Sequence, residues 1–318
     1  MYGIAQWYIH SQANKPLRLG VTFIADYAEA LGVNPEKTMD ALIHIGVRQF
    51  RLVSYWSDGE PLKGQYNFSQ LDWEFKKAEA AHAKVILVLG LRQPRWPECH
   101  MPTWAQDEPS NVWQPQLMAY IKTVVNRYKN SPSLESYQLE NEYFLKGFGI
   151  CTNYSRQRLV DEYNLVKSLD PHHIIIVSRS NNAIGIPLGQ PQPDEFGISV
   201  YRWVWDANVT HRYLEYPYPA WFYAFLAGLQ EIVDHKNMMI DELQAEPWPP
   251  HGQTIPQTSL AEQNKSMSAS KLQSEFNYGI ATGMRSIDMW GAEYWYYRLI
   301  KLHDPSVWNV AKREFARH

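Results

Sequence analysis

Short apolar runs alternate along this chain with longer segments in which apolar residues recur every three or four positions. The first apolar run is LRLGVTFI at 17–24, and the segment NPEKTMDALIHIG follows it, with a proline just inside its start and a glycine after its end. Proline in the first turn and glycine beyond the last turn are typical of a helix. This pattern predicts a strand followed by a helix.

The strand and helix unit repeats through the first 180 residues. The runs RQFRLVSYW, KVILVLGL, 134–139 and HIIIVS predict strands two to five. The segments SQLDWEFKKAEAAH, QPQLMAYIKTVVNRY and SRQRLVDEYNLVKSL predict the helices between them. Ser69 is the candidate N-cap of the first of these helices, because a serine hydroxyl accepts a hydrogen bond from the first turn.

The pattern weakens after the fifth predicted strand, where RSNNAIGIPLGQPQPDE is rich in proline and glycine. FGISVY, NMMIDE and RSIDMW then predict strands six to eight, YAFLAGLQEIVDHK and EQNKSMSASKLQSEFNYGIATG predict helices between them, and a last helix follows from Trp308. Nearly continuous apolar strands with helical crossovers indicate a parallel sheet covered on both faces. Eight of them predict an α/β fold, a single (β/α)8 barrel over 17–318 with elaborated βα loops, after an N-terminal extension at 1–16.

The alternative architecture is an open, doubly wound parallel sheet. No G-x-G-x-x-G motif follows the first predicted strand, and no G-x-x-x-x-G-K-[ST] motif is found anywhere. These glycine-rich loops bind the phosphates of nucleotides in doubly wound folds. The barrel is therefore favoured.

The composition is that of an ordinary globular chain, with 318 residues, 45% hydrophobic residues and 20% charged residues. The formal net charge of -3 provides no basic field, so we expect no nucleic-acid partner. The opening MYGIAQWYIHSQANKP lacks the basic start of a signal peptide, and no apolar run reaches membrane-spanning length. We expect no membrane span in this chain, and the oligomeric state is not indicated.

The aromatic content of 14%, with 13 Trp and 20 Tyr, is the main departure from average composition. Many of these rings are expected in the core. Others lie in segments with proline or glycine that we interpret as loops, and flat apolar rings suit the faces of sugars. The tryptophans in such segments are Trp96, Trp104, Trp113, Trp203, Trp205, Trp248 and Trp295.

Carboxylates follow two of the predicted strands. Asn141 and Glu142 end the fourth strand, in SYQLENEYF, and Asp241 and Glu242 end the seventh, in NMMIDELQAEPW. The βα loops of a barrel gather at the carboxyl ends of its strands, so we expect these residues at one face. Two carboxylates across a pocket are the minimal apparatus for glycoside hydrolysis, although each could simply mark a strand running out into solvent.

With these residues the chain resembles glycoside hydrolase clan A, the retaining (β/α)8 barrels that include families 5, 35, 39 and 42. The resemblance implies that Glu142 is the acid/base, that Asn141 beside it contacts a sugar hydroxyl, and that Glu242 is the nucleophile. It also implies substrate-site positions for Arg51 on strand two, Tyr201 after strand six and Trp290 at the end of strand eight. The clan often has proline after the acid/base, whereas Tyr143 follows it here.

Several further residues are candidates for substrate binding. Glu246 is a rival to Glu242, but Glu242 directly follows the apolar run, so Glu246 is assigned to holding substrate. Glu140 points away from Asn141 on the fourth strand and is expected to be structural. Arg51 and Arg92 could instead be ordinary ion pairs, and Tyr201 could be a core phenol. The remaining candidates for the sugar-binding walls are Trp96, His100, Trp104, Trp203, Trp248 and Glu293.

The two cysteines, Cys99 and Cys151, lie in the predicted loops after strands three and four. Neighbouring strands carry neighbouring loops, so the two cysteines could form a disulfide. The sequence does not decide between this disulfide and two free thiols. A disulfide would favour an extracellular or cell-surface location. No metal or cofactor is expected, and the chain has no H-E-x-x-H motif and no spaced cysteine and histidine motif for a metal. It also has no G-x-S-x-G elbow, so a serine nucleophile is not favoured.

These observations predict a retaining glycoside hydrolase of polysaccharide degradation, with the carboxyl groups of Glu142 and Glu242 about 5 to 5.5 Å apart. The first alternative is a carbohydrate-binding barrel without turnover. The second is a lyase or isomerase barrel, which would carry a phosphate cradle or metal ligands after strands seven and eight. The identity of the sugar and the linkage is not indicated by the sequence.

Overall fold

A computed structural model describes residues 1–151, 154–182, 185 and 187–318. Its strands are β1 (Arg18–Phe23), β2 (Gln49–Val53), β3 (Lys84–Leu89), β4 (Leu134–Leu139), β5 (Ile174–Arg179), β6 (Glu195–Val200), β7 (Trp203–Asp206), β8 (Arg212–Glu215), β9 (Asn237–Gln244) and β10 (Ser286–Trp290). Eight of these close into a barrel in the order β1, β10, β9, β6, β5, β4, β3, β2. The predicted (β/α)8 barrel is confirmed, with β9 and β10 as its seventh and eighth strands.

The alternating pattern predicts helices between and after the strands, and the structure has these together with one helix before β1. They are α1 (Tyr2–Gln12), α2 (Ala25–Ala30), α3 (Pro35–His44), α4 (Trp56–Gly59), α5 (Ser69–Ala80), α6 (Thr103–Gln106), α7 (Ser110–Tyr128), α8 (Arg156–Leu169), α9 (Ala220–Asp234), α10 (Leu260–Ser266), α11 (Ala269–Ala281), α12 (Ala292–Lys301) and α13 (Ser306–Arg317), with a 3₁₀ turn at Ile255–Gln257. Among the described residues, no helix has both the length and the apolar character needed to cross a bilayer.

Local capping explains where two of the predicted helices begin. Asn34 caps α3 by accepting a hydrogen bond from the Lys37 amide, with Pro35 in the first turn as predicted. The prediction of Ser69 as the N-cap of α5 is wrong, because the cap position is Phe68 and Ser69 is the first helical residue. The Ser69 amide instead donates to the side chain of Asn67, which satisfies one of the free amides of the first turn.

One long predicted helix is two helices in the structure. The segment EQNKSMSASKLQSEFNYGIATG contains the end of α10 and all of α11. The break falls at Met267 and Ser268, and the Ser268 hydroxyl accepts a hydrogen bond from the Lys271 amide at the start of α11. A serine that can cap a new helix competes with continuation of the old one, which periodicity alone does not reveal.

The chain divides into two compact units, which are called here the first unit (1–50 and 199–318) and the second unit (51–198). In the first unit the predicted N-terminal extension forms α1, which packs on α9. Gly228 of α9 permits this contact, because a Cβ there would lie 2.9 Å from a methyl carbon of Ile4. The antiparallel hairpin of β7 and β8, which the sequence pattern did not predict, follows the sixth barrel strand in the same unit.

In the second unit, β3 pairs in parallel with β4 and β4 with β5. The loops after β3 and β4 are joined by a disulfide between Cys99 and Cys151, which resolves the alternative that the sequence left open. The bond links positions 52 residues apart. It therefore ties together the two loops that carry most of the predicted site residues of this unit.

Two tryptophans that we interpreted as loop residues belong to the core. Trp113 lies in α7 and Trp295 in α12, and both side chains are fully buried. The Trp295 indole donates to the Ala245 carbonyl at 2.9 Å, so its polar edge is satisfied inside the protein. The prediction that these rings lie in loops is wrong, because a nearby proline or glycine does not prevent a helix from starting.

Candidate active site

Polar side chains occupy alternate positions on otherwise buried strands of the second unit. Arg51 of β2 is fully buried, and its Nε donates to Gln138 Oε1 of β4 at 2.7 Å. Gln138 in turn donates to the Glu140 carbonyl at 2.9 Å. Gln138 was not among the predicted site residues, although a polar residue at every second position of a buried strand is the signal that marks it.

Asn141, two residues after the end of β4, is held by hydrogen bonds on both sides of its amide. Its Oδ1 accepts from Arg51 Nη2 at 2.8 Å, and its Nδ2 donates to Glu98 Oε2 at 3.2 Å. A guanidinium only donates and a carboxylate only accepts, so these two partners define which way the amide faces. Arg51 and Asn141 are thus brought together as two of the predicted site residues.

Glu98 contacts the predicted site residue Asn141 but was not itself predicted. It lies in the loop after β3, where Trp96 and His100 were predicted for the site. Its side chain is buried, and its Oε2 lies 3.9 Å from Arg92 Nε. The sequence of a loop has no hydrophobic period from which a buried carboxylate could be predicted. Only the contact with Asn141 in the structure draws attention to Glu98.

Glu142 follows β4 in a backbone conformation that is uncommon for residues with a side chain. Its φ is +41°, in the left-handed region, and its side chain is 5% exposed. The Glu142 carbonyl accepts from the Leu145 amide at 2.9 Å, and the Tyr143 amide donates to Ser178 at 3.3 Å. Such a strained turn persists only where its surroundings maintain it, and strained turns cluster at functional sites.

Glu140 has the structural role that the sequence predicted. Its carboxylate accepts hydrogen bonds from the amides of Leu91 and Arg92, at 3.0 and 2.9 Å. It also lies 3.4 Å from the guanidinium of Arg158, which pairs with Glu162 at 3.2 Å. Burial raises the pKa of Glu162 well above its usual value. The hydrogen bonds of Glu140 thus anchor the loop after β3 to the end of β4.

The aromatic residues of the loop after β3 have different surroundings. Trp96 is 63% exposed, and its ring is T-shaped against that of Phe148, with centroids 6.4 Å apart. His100 stacks on Tyr55 with ring centroids 3.5 Å apart, and burial lowers its pKa to about 4. Trp104 lies in the short helix α6, and its indole donates to the Glu60 carbonyl at 2.9 Å. Of these three predicted rings, Trp96 is the one most open to solvent.

In the first unit, Glu242 lies within β9, and the residue is 3% exposed. The phenol of Tyr201, which follows β6, donates to Glu242 Oε2 at 2.6 Å. The ring of Trp248 meets Tyr201 edge to face, with centroids 5.7 Å apart. Tyr201 therefore contacts both Glu242 and Trp248, so that three of the predicted site residues lie together.

Gln244, at the end of β9, anchors the hairpin that follows Tyr201. Its Oε1 accepts from the amides of Arg202 and Trp203, at 3.0 and 2.8 Å, and its Nε2 donates to the Trp203 carbonyl at 2.7 Å. The ring of Trp203 stacks under the ammonium of Lys271, 2.9 Å from the ring centroid. Gln244 was also missed, since its partners lie about forty positions away.

The remaining predicted residues of the first unit lie near the ends of β1, β9 and β10. Glu246 accepts a hydrogen bond from the Tyr27 phenol at 2.6 Å. Glu293 is buried in α12 and accepts from the Ile24 amide at 2.5 Å, which is a contact that stabilises the end of β1. Trp290 is the last residue of β10 and is 6% exposed.

Within the described parts of the chain, no group of three or more histidine, cysteine, aspartate or glutamate side chains is arranged to hold a metal ion. Glu142 belongs to the second unit and Glu242 to the first. The separation of their carboxyl groups, about 5 to 5.5 Å, remains a prediction.

Comparison with curated proteins finds partial similarity to mannanases. The chain is 31% identical over 86 residues to the probable mannan endo-1,4-beta-mannosidase F of Aspergillus flavus, over 27% of this chain and 18% of that protein. It is 31% identical over 84 residues to mannan endo-1,4-beta-mannosidase A of Podospora anserina, over 26% of this chain and 21% of that protein. The matches thus span about a fifth of the length of these relatives. No family model matches the chain.

Solved structures share the fold over most of the chain. A family 5 glycoside hydrolase from Bifidobacterium longum, in complex with Manβ1-4GlcNAc, aligns with a TM-score of 0.63 at 10% identity, covering 95% of this chain and 78% of that one. Xylanase 10B of Thermotoga maritima aligns with a TM-score of 0.57 at 14% identity, over 99% of both chains. The predicted resemblance is confirmed at the level of the fold: this chain has the (β/α)8 barrel found in clan A glycoside hydrolases.

Proposed function

We propose that the chain is a retaining glycoside hydrolase that cleaves a β-linked glycan by double displacement. Glu142 protonates the glycosidic oxygen while Glu242 attacks the anomeric carbon and forms a covalent glycosyl-enzyme. Glu142 then takes a proton from the water that releases the sugar, so that one group acts as acid and afterwards as base.

The observation that carries this proposal is the buried carboxylate of Glu242 on the seventh barrel strand, with the Tyr201 phenol 2.6 Å from its Oε2. A phenol hydrogen bond to one of its oxygens orients this carboxylate. The carboxyl ends of all strands of a (β/α)8 barrel face the same way, which is the face where barrel enzymes carry their sites. Glu142 follows the fourth strand of that barrel.

The fixed amide of Asn141 supports the same assignment. Its neighbours Arg51 and Glu98 hold it next to Glu142 in a single orientation, which suits recognition of a sugar hydroxyl. We propose that Tyr201, Trp248 and Trp290 belong to the sugar-binding surface. Trp96, Trp104, Trp203, His100, Glu246 and Glu293 were predicted for the same surface, and their contact with substrate is likewise a proposal.

Mannan is the first substrate to test, because the curated relatives that match part of the chain are named as mannan endo-1,4-beta-mannosidases. A polysaccharide is accordingly the proposed partner. The disulfide between Cys99 and Cys151 favours an oxidising compartment, and we propose an extracellular or cell-surface location.

Azide rescue of two alanine variants tests the proposed roles directly. With an activated aryl β-glycoside, Glu242→Ala lacks its nucleophile, so azide attacks the anomeric carbon once and gives the α-glycosyl azide. Glu142→Ala still forms the glycosyl-enzyme, and azide then gives the β-glycosyl azide. The anomeric configuration of each product, read by NMR, assigns the residue. Glu108→Ala, a change of an exposed acid between α6 and α7, is the matched control.

Opposite anomers from the two variants, with full activity in the Glu108 control, would support both roles. Turnover of glycan by both alanine variants without azide would defeat the assignment. A wild-type chain that binds mannan but hydrolyses no member of a β-glycan panel would favour the carbohydrate-binding alternative.

A further inference from the structure

The amide of Asn141 has a partner that the clan A resemblance does not include. Arg51 holds the Oδ1 side at 2.8 Å, and Glu98 holds the Nδ2 side at 3.2 Å. Without the carboxylate of Glu98, the buried amide nitrogen of Asn141 would lose its hydrogen-bond acceptor. A buried donor without an acceptor costs free energy of folding. The orientation of Asn141 therefore depends on Glu98 as much as on Arg51.

The backbone around Glu98 is itself held in place. Its carbonyl accepts from the Gln93 amide at 2.8 Å, and its amide donates to the Arg95 carbonyl at 2.9 Å. Its φ of +72° is uncommon for a residue with a side chain. Two hydrogen bonds within the loop thus maintain a strained position, which aims the carboxylate at Asn141.

The loop after β4 closes over Glu98 from the other side. The Ile150 amide donates to the Pro97 carbonyl at 2.9 Å, and Cys99, next to Glu98, is bonded to Cys151. Gly149 packs directly on the side chain, since a Cβ there would lie 2.6 Å from Glu98 Cβ. The disulfide-linked loops therefore leave the carboxylate little room to move.

We propose that Glu98 is a positioning residue of the proposed glycosidase: the disulfide-linked loops hold its carboxylate against Asn141 Nδ2, so that the amide is presented to the sugar in one orientation. This inference rests on the proposed function. Glu98 does not react and is not assigned to the substrate. Its effect passes through Asn141.

Two variants of equal side-chain length separate the acceptor from the packing. Glu98→Gln keeps an oxygen that can accept from Asn141, whereas Glu98→Met fills similar space without an acceptor. We expect Glu98→Met to lower kcat/KM on a β-glycan by about 10- to 100-fold, because loss of a buried charge-assisted hydrogen bond frees the amide. Glu98→Gln should stay within about threefold of wild type.

A double-mutant cycle with Asn141→Ala shows whether the effect passes through the amide. In the Asn141→Ala background, Glu98→Met should change kcat/KM by less than about twofold, since residues that act through one contact are not additive. Losses that multiply would overturn the proposal, as would a Glu98→Met variant with wild-type kinetics.

A second readout does not depend on turnover. In protein labelled with ¹⁵N-asparagine, the side-chain amide signal of Asn141, assigned through Asn141→Asp, should shift in Glu98→Met and in Gly149→Ala but stay near its place in Glu98→Gln. If the wild type hydrolyses no glycan while this pattern holds, the proposed function fails and the positioning contact stands. An Asn141 signal unmoved in Glu98→Met would overturn the inference whatever the activity.

Discussion

The two proposed catalytic carboxylates are held in different ways. Glu242 lies inside the extended strand β9 and is oriented by a neutral phenol from Tyr201. Glu142 lies in a strained turn beyond β4, beside an amide that is fixed by the charged side chains of Arg51 and Glu98. A strand positions its side chains through the ladder of the sheet, whereas a turn depends on the loops around it.

This difference suits the two roles that we propose. A nucleophile must meet the anomeric carbon in one geometry, which a strand of the barrel supplies. The acid/base must serve a leaving group and then a water, and its surroundings are loops closed by a disulfide. We therefore expect changes in the loops to alter the position of Glu142 and to leave the position of Glu242 unchanged.

The largest effect should come from the two carboxylates, and it should depend on the leaving group. Glu242→Gln should lose at least about 10³-fold on every substrate, because no covalent intermediate forms. Glu142→Gln should lose about 10² to 10⁴-fold on glycans but much less in the first step with a dinitrophenyl glycoside, which needs no acid. Burst kinetics with that substrate measure the first step separately. Equal losses on both substrates would contradict the assignment of Glu142.

The disulfide should matter next, through stability. Replacing Cys99 and Cys151 by serine should lower the free energy of unfolding by about 2 to 4 kcal/mol, since the bond closes a long loop in the unfolded chain. Urea titration measures this change, with reduction of the wild type as a second route. The double serine variant should lose about as much activity as Glu98→Met, and much less than a Glu242 variant. An unchanged urea midpoint would argue against a formed bond.

A smaller loss of activity is expected from removing the hydrogen bond to Glu242 on strand β9. Tyr201→Phe removes the hydroxyl that donates to Glu242 and should lower kcat by about 10-fold, the value of one good hydrogen bond. The melting temperature should change little, because the ring remains. Tyr66→Phe, which alters an exposed phenol, is the matched control. A Tyr201→Phe variant as active as that control would show that the phenol does not orient the carboxylate.

The smallest effects concern pH, and they should run in opposite directions in the two units. Burial raises the pKa of Glu275 in α11 to about 8, so the first unit should lose stability as the pH rises from 4.5 through 8. Burial lowers the pKa of His100 from 6.5 to about 4, so the second unit should lose stability as the pH falls through that range.

Each pH effect should amount to about 1 kcal/mol, because water and side-chain relaxation reduce the full linkage value. Amide hydrogen exchange, corrected for the intrinsic pH dependence, measures the two regions separately. Glu275→Gln should flatten the alkaline dependence around α11, and His100→Gln should flatten the acid dependence of the loop after β3. Equal dependence in the wild type and both variants would contradict these assignments.

The sequence by itself determined the barrel and the two strand ends at which the candidate carboxylates follow. Apolar runs that alternate with helical periods predicted all eight barrel strands, and the carboxylates that follow two of these runs predicted Glu142 and Glu242 as candidates. These features are local, because burial of a strand and the start of a helix leave their marks within a few neighbouring positions. Local competition also explains two errors, the single long helix in place of α10 and α11 and the N-cap at Ser69.

Only the tertiary structure decided which side chains hold the candidate residues. Glu98 meets Asn141 across 43 positions, Tyr201 meets Glu242 across 41, and Gln138 meets Arg51 across 87. A periodic pattern shows that a face is buried, but it does not show which distant residue is packed against it. Hydrogen bonds between such residues form only when the closed sheet and its loops bring them within about 3 Å, and that distance is set by the whole fold.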